Sequence, residues 1–263
     1  LEWVRKMPRA RGTKSKSRLD KFEEIKADAT RRFDRDEVRL EVKTDRLGGK
    51  GIAVRCDHTR DEEVESLFQR IEEEQGRLDI LVNNVWGGYE FYFDGTEFWN
   101  ESGFWTVPLS RWDKAFQAGV RAHYVCSALA APLMIKQGSG LIANISFFAA
   151  QRDNKGVVYG VAKAADDRMA ACMAHELRPY GIAAVSLYPG LVRTEGVLKA
   201  AEFFDLSNSE SPQFLGRAVA ALAADERLME KSGKVLVAAE LGLEYGFRDV
   251  DGNQPKPLTV EEA

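Results

Sequence analysis

The spacing of apolar residues changes character near the glycine cluster at 48–51. Before it the chain is dense in charge. Leu19, Phe22 and Ile25 recur at helical spacing and predict an exposed helix over 18–32. Residues 37–43 then alternate strictly polar and apolar, the pattern of a strand with one wet face. Beyond the glycines the alternation becomes strand and helix in turn. Strands are predicted at 51–56, 79–83, 141–146, 182–188 and 234–239. Helices are predicted at 61–74, 110–136, 157–178 and 212–224. The run Ile80, Leu81, Val82 is continuously apolar, as expected where both sheet faces are covered. Repeated strand–helix units predict an α/β fold: a Rossmann-like, doubly wound parallel sheet with helices on both sides.

A chain of 263 residues with 44% hydrophobic positions fits one such domain with a sizeable core. The net charge of -4 gives no overall bias towards nucleic acid. The first twenty residues are basic, with Arg5, Lys6, Arg9, Arg11, Lys14, Lys16 and Arg18. That cluster alone would support RNA contact, and a basic solvated arm accounts for it better. Cys56, Cys126 and Cys172 form no CxxC pair, so buried free thiols are expected rather than a disulfide framework or a zinc site. His58, His123 and His175 have no metal-ligand spacing, and solvent-facing or core roles are expected for them. No apolar run approaches the roughly 20 residues that span a bilayer, and no signal-peptide core is present. A cytoplasmic location without membrane contact is the resulting expectation.

Tyr159 and Lys163 are four residues apart within a predicted helix and so share one face. A nearby ammonium favours the phenolate, which makes the pair a candidate general acid/base. Taken alone, such a pair reads first as a surface tyrosine beside a solvated lysine. Ser146 ends the preceding strand, where ligands of open parallel sheets bind. Its hydroxyl there can meet a developing oxyanion, or simply cap the strand. Asp57, Asn84, Pro189 and Gly190 end other strands at the same edge. Each has a local alternative: a cap, an Asx turn or a plain turn. One shared site explains all of them together.

In order, Asp57, Asp79-Ile80-Leu81-Val82-Asn83-Asn84, Asn144-Ile145-Ser146, Tyr159-Gly160-Val161-Ala162-Lys163 and Pro189-Gly190-Leu191-Val192-Arg193-Thr194 resemble the short-chain dehydrogenase/reductase family. The resemblance covers about four fifths of the chain. It implies an oxidoreductase that uses NAD or NADP to interconvert a small-molecule carbonyl and a secondary alcohol. Tyr159 would be the acid/base. Lys163 would lower its pKa and hold the nicotinamide ribose, and Ser146 would stabilise the substrate oxygen. Asp57 would contact adenine and Asn84 would lie along the cofactor. Pro189 and Gly190 would belong to the cofactor edge, with Val192 and Thr194 at the carboxamide. Homo-oligomers through the Tyr159 helix and its neighbours are also implied. Three positions depart from the family. Trp86 stands where a glycine is usual, Gly119 falls where the helix asparagine of the proton relay belongs, and Phe147 replaces a second serine.

The family's opening strand and Thr-Gly-x-x-x-Gly-Ile-Gly loop are not found in residues 1–50. Such a loop lets backbone N–H groups and a helix N-terminus meet the pyrophosphate. The stretches Glu2-Trp3-Val4-Arg5, 8–22 and 46–50 resemble instead the interdomain linker of ABC-F ATPases, with no ATP-binding motif included. The expected division is a foreign segment over 1–50 and a truncated dehydrogenase domain over 51–263. Two readings follow: an oxidoreductase, impaired or not, and a catalytically inactive chimera that binds no dinucleotide. With the family's central first strand replaced, a gap between the 51–56 and 79–83 strands, a rearranged sheet or marginal stability is expected. The segment 86–112 is rich in aromatic residues, which suits an apolar substrate pocket, a self-packed lid or a subunit contact.

Overall fold

The computed structural model describes residues 51–87, 103–153, 156–199 and 201–262. Four parallel strands form one sheet in sequence order: β1 Ile80–Asn83, β2 Gly140–Ile145, β3 Ile182–Tyr188 and β4 Val235–Val237. The helices are α1 Asp61–Gln75, α2 Leu109–Ala115, α3 Ala122–Gln137, α4 Val157–Leu177, α5 Glu195–Lys199, α6 Pro212–Ala223, α7 Leu228–Lys231 and α8 Ala238–Tyr245. The expected α/β fold with a parallel sheet is therefore present. The expected helix 18–32 and strand 37–43 lie outside the described residues, as do residues 88–102 of the aromatic segment.

Period-2 alternation sorts each strand between two cores. Leu141, Ala143, Ile145, Ala183, Val185 and Leu187 face Phe214, Ala218 and Leu222 of α6 and Ala238 and Leu241 of α8. On the other face, Ile142, Ile182 and Ala184 meet α1 through Val64 and Phe68. They also meet α3 through Cys126, Ala130 and Met134, and α4 through Ala174 and Leu177. This second face is apolar where the strands begin and polar where they end. Asn83, Asn144 and Ser186 lie at one level of the register, and Ser146 follows β2. The polar end of the face is the edge on which ligands of open parallel sheets bind.

Several expectations are corrected. Residues 51–56 form no strand, and Ile52 and Val54 are exposed. Among the described residues β1 ends the sheet, so that segment has no ladder to satisfy its backbone groups. Val82 on β1 is 42% exposed, which contradicts the reading of a strand covered on both faces. The strand expected at 234–239 stops at Val237, because α8 begins with Ala238. Cys126 is buried, whereas Cys56 is half-buried and Cys172 exposed. The helix expected at 110–136 is interrupted by a π turn over Phe116–Arg121. The whole run Leu109–Gln137 is long and apolar enough to cross a membrane by length and composition. Its buried side chains on α3 pack against α1 and the sheet, the role of a core helix.

Truncating Leu187, fully buried in β3, should cost about 2–5 kcal/mol in urea denaturation. Val82→Thr on the open face of β1 should change stability by about 0.5 kcal/mol or less. Equal losses at the two positions would show that β1 is covered.

Candidate active site

Lys163 and Tyr159 sit one turn apart on α4, beside the ends of β1 and β2. The Lys163 ammonium is drawn inward and the residue is only 6% exposed. Its Nζ donates to the Ile145 carbonyl at 2.9 Å and to Asp166 Oδ2 at 3.4 Å. It also lies 4.6 Å from the Trp86 ring centroid, a cation–π contact, and 6.0 Å from that of Tyr159. Burial pulls the Lys163 pKa below the ordinary lysine value, and the Asp166 carboxylate opposes that pull.

Tyr159 is half-buried against aromatic rings. Trp86 meets it edge-on at 5.4 Å and Phe147 lies at 6.2 Å. The two departures at Trp86 and Gly119 are physically linked. A Cβ on Gly119 would come within 2.8 Å of the Trp86 ring, so the indole uses the space that a side chain on the π turn would need. Phe147, in the place of a second serine, completes the apolar wall beside Tyr159.

Ser146 is buried and its hydroxyl donates to the Lys163 carbonyl at 3.1 Å. Two further groups lie beneath it. Tyr188 on β3 donates its hydroxyl to Asp167 Oδ2. Burial raises the Asp167 pKa, and the Tyr188 hydrogen bond works against that rise.

The loop after β3 is clamped from both sides. Glu210 accepts the Gly190 N–H at 2.7 Å through its side chain. Its backbone N–H donates to the Leu191 carbonyl at 2.9 Å, and its carbonyl accepts from the Arg193 N–H at 2.8 Å. Arg193 in turn donates to Asp249 at 2.9 Å and to Asp251 at 3.0 Å. Pro189 is buried, Val192 half-buried and Thr194 exposed, with Thr194 Oγ1 accepting from the Val197 N–H at 3.3 Å. Glu210 is fully buried and its Oε2 has no hydrogen-bond partner, so burial pushes its pKa up to about 7.

Asp57 is exposed and forms an Asx turn, its Oδ1 accepting from the Thr59 N–H at 2.9 Å and from the Thr59 hydroxyl. Asn84 is exposed just beyond β1. Asn83, by contrast, is turned into the core, where its Nδ2 donates to Ser127 Oγ at 2.9 Å and to Asn144 Oδ1 at 2.8 Å. The structure thus brings Ser146, Tyr159 and Lys163 together and places Pro189–Thr194 as one clamped loop. Asp57 stands in an exposed Asx turn ahead of α1.

Trp86, His123, Asp166, Asp167 and Glu210 were not read from the sequence as site residues. The available signals were the place of Trp86, where the family has a glycine, and the pair of carboxylates at 166 and 167, set in a helix whose neighbouring positions are mostly apolar.

The short chain dehydrogenase family profile matches residues 25–203. This chain belongs to the short chain dehydrogenases. It is accordingly an NAD(P)-dependent oxidoreductase by family. The match begins inside the segment expected to be foreign to the fold. Dehydrogenase/reductase SDR family member 1 of Mus musculus is 43% identical over 227 residues, covering 80% of this chain and 70% of the relative. The Homo sapiens protein of the same name is 41% identical, with 78% and 69% covered. The 7alpha-hydroxysteroid dehydrogenase of Escherichia coli K12 is 32% identical over 57% of this chain and 55% of its own. Among solved structures, a 7α-hydroxysteroid dehydrogenase complexed with NADH and 7-oxo glycochenodeoxycholic acid superposes with a TM-score of 0.59. It is 25% identical, covering 79% of this chain and 76% of that one. A dehydrogenase structure from Xanthomonas campestris gives a TM-score of 0.63 at 22% identity, with 80% and 74% covered, a likeness of fold.

A carboxyl whose folded pKa is raised stabilises the fold below its unfolded value near 4.5 and loses that contribution as pH rises through about 7. Stability should therefore fall across this window, by an amount on the order of 3 kcal/mol. Glu210→Gln should flatten the fall in urea titrations at stepped pH. An unchanged slope in the variant would remove Glu210 as its cause.

Proposed function

We propose that Tyr159, Lys163 and Ser146 form the proton-handling site of an enzyme that interconverts a carbonyl and a secondary alcohol with NAD or NADP. The observation that carries this reading is the enclosed Lys163 ammonium, 6.0 Å from the Tyr159 ring centroid at the C-terminal edge of the sheet. A cation so placed favours the phenolate and eases proton transfer at neutral pH.

In the reducing direction, Tyr159 gives its hydroxyl proton to the substrate oxygen as charge develops there. Lys163 stabilises the phenolate left behind. Ser146 stabilises the same substrate oxygen once its hydroxyl turns away from the Lys163 carbonyl. The residues present fit the nicotinamide end of a dinucleotide. Gly190 offers backbone without a side chain, and the loop through Val192 and Thr194 is fixed by Glu210 and Arg193. A bound nicotinamide would supply or accept the hydride. Lys163 would hold its ribose on the side that the Trp86 ring covers, once that ring moves aside, Asn84 would lie along it, and Asp57 would meet the adenine.

A relative's complex with NADH and an oxo bile acid supports an apolar, small-molecule substrate class. Exposed Phe104 and Trp105 and the stacked pair Trp112–Phe116 supply apolar surface between 103 and 116. Self-association is expected through the outer faces of α3 and α4, where Tyr124, Val157 and Val161 are exposed.

Titration with NADH and NADPH, followed by nicotinamide fluorescence, should give saturable binding that weakens at least about tenfold in Lys163→Ala, the loss of one charged hydrogen bond. Tyr159→Phe should keep binding while lowering turnover of a carbonyl panel by about 100- to 10,000-fold. A folded protein that binds neither nucleotide would favour the inactive-chimera reading instead.

A further inference from the structure

Behind Lys163 lies a line of polar groups that the proposed reaction does not use. Asp166 is fully buried, and only one of its oxygens faces Lys163. The other, Oδ1, lies 2.9 Å from Nδ1 of His123 on α3. His123 is 1% exposed, and its Nε2 lies 2.9 Å from the Val85 carbonyl. One hydrogen bond fixes the turn of α3 that carries the ring and another the turn of α4 that carries the carboxylate. The Ser127 hydroxyl donates to the His123 carbonyl at 2.7 Å, and the Asn144 amide donates to the Asp166 carbonyl at 3.3 Å.

A count of protons follows from these contacts. A carbonyl only accepts, so Nε2 carries a hydrogen towards Val85. The short Nδ1–Oδ1 contact also requires a hydrogen, because two bare lone pairs repel. His123 and Asp166 together therefore hold one proton more than a neutral imidazole beside a carboxylate. Whichever atom carries it, the pair has no net charge.

We propose that His123 is a positioning residue: its extra proton cancels the charge of Asp166, so that Asp166 anchors the Lys163 ammonium without neutralising it. The inference rests on the reading of Tyr159 as the proton donor. Without that proton, a buried carboxylate would pair with the buried ammonium and leave only a dipole at Tyr159. With it, the full positive charge of Lys163 acts on the phenol. Among the described residues, further titratable groups stand around the cluster. Asp167, on the same helix, lies close enough to act on Lys163 and accepts the Tyr188 hydroxyl from β3. His58, ahead of α1, faces Cys126 with its Nδ1 at 3.4 Å. The strand ends β1 and β2 contribute only Asn83, Asn144 and Ser146, which carry no charge.

The test is the ionisation of the Tyr159 phenol, read by ultraviolet difference absorbance against Tyr159→Phe. His123→Gln removes the extra proton and leaves an anion beside Lys163, so the midpoint should rise by about 1 pH unit or more. Asp166→Asn and the double variant His123→Gln/Asp166→Asn both leave Lys163 with its charge uncancelled, so both should titrate close to the unaltered protein. A double variant as displaced as His123→Gln would show local disruption and overturn the proposal, as would an unmoved His123→Gln. Imidazole nitrogen-15 and carboxyl carbon-13 NMR of the unaltered protein needs no variant to fold beyond those used for assignment. A doubly protonated His123 ring or a protonated Asp166 carboxyl at neutral pH is expected. A neutral ring beside an ionised carboxylate would overturn the proposal. A Tyr159 that titrates like an ordinary tyrosine, near 10, in the unaltered protein would instead defeat the reading of Tyr159 itself.

Discussion

An ammonium taken out of water must be met on every side, and the edge of this sheet is organised around meeting that of Lys163. Leaving such a group unpaired costs several kcal/mol. The Ile145 carbonyl, the Asp166 carboxylate and the face of Trp86 share the task. They come from β2, α4 and the segment beyond β1, so the ammonium ties together the elements that form the candidate site. The same cation sits one helical turn from Tyr159, where its field favours the phenolate. Structural and chemical roles thus fall on one group, and a change at Lys163 should disturb both packing and reactivity.

The sheet explains why the polar cluster lies where it does. Register places Asn83, Asn144 and Ser186 side by side, on a face that is apolar one turn of the pleat earlier. Helices α3 and α4 cross that face. Where it is apolar they present Ala130, Met134 and Ala174; where it is polar they present His123, Ser127, Lys163 and Asp166. The π turn at Phe116–Arg121 adds a local irregularity of a kind often found at functional sites. Within it, Gly119 has no side chain, and the Trp86 ring fills that volume against Tyr159 and Lys163.

Periodicity made the regular parts legible. The strand at 182–188 was read with its observed bounds, and α1, α4 and α6 were read to within about a residue of theirs. Ser146, Tyr159 and Lys163 were legible because strand ends and a four-residue helical spacing are one-dimensional signals. The strand at 51–56 was misread because an apolar run reports hydrophobicity rather than the presence of a partner to pair with. His123 and Asp166 stand 43 residues apart, and nothing local marks a pair that meets only when α3 and α4 pack on the same sheet face. Glu210 was hidden for a similar reason. Its carboxyl serves the backbone of a loop 20 residues earlier, and a lone glutamate before a helix cap reads as surface charge.

The most direct measurement is the protonation of Lys163 itself, followed by carbon-13 NMR at its ε carbon across pH and assigned with Lys163→Arg. Lys163 should be charged at neutral pH and should lose its proton below the ordinary lysine range, because burial disfavours the ammonium while Asp166 retains it. A Lys163 already neutral at pH 7, or one that titrates like an exposed lysine, would contradict the picture of an enclosed cation acting on Tyr159.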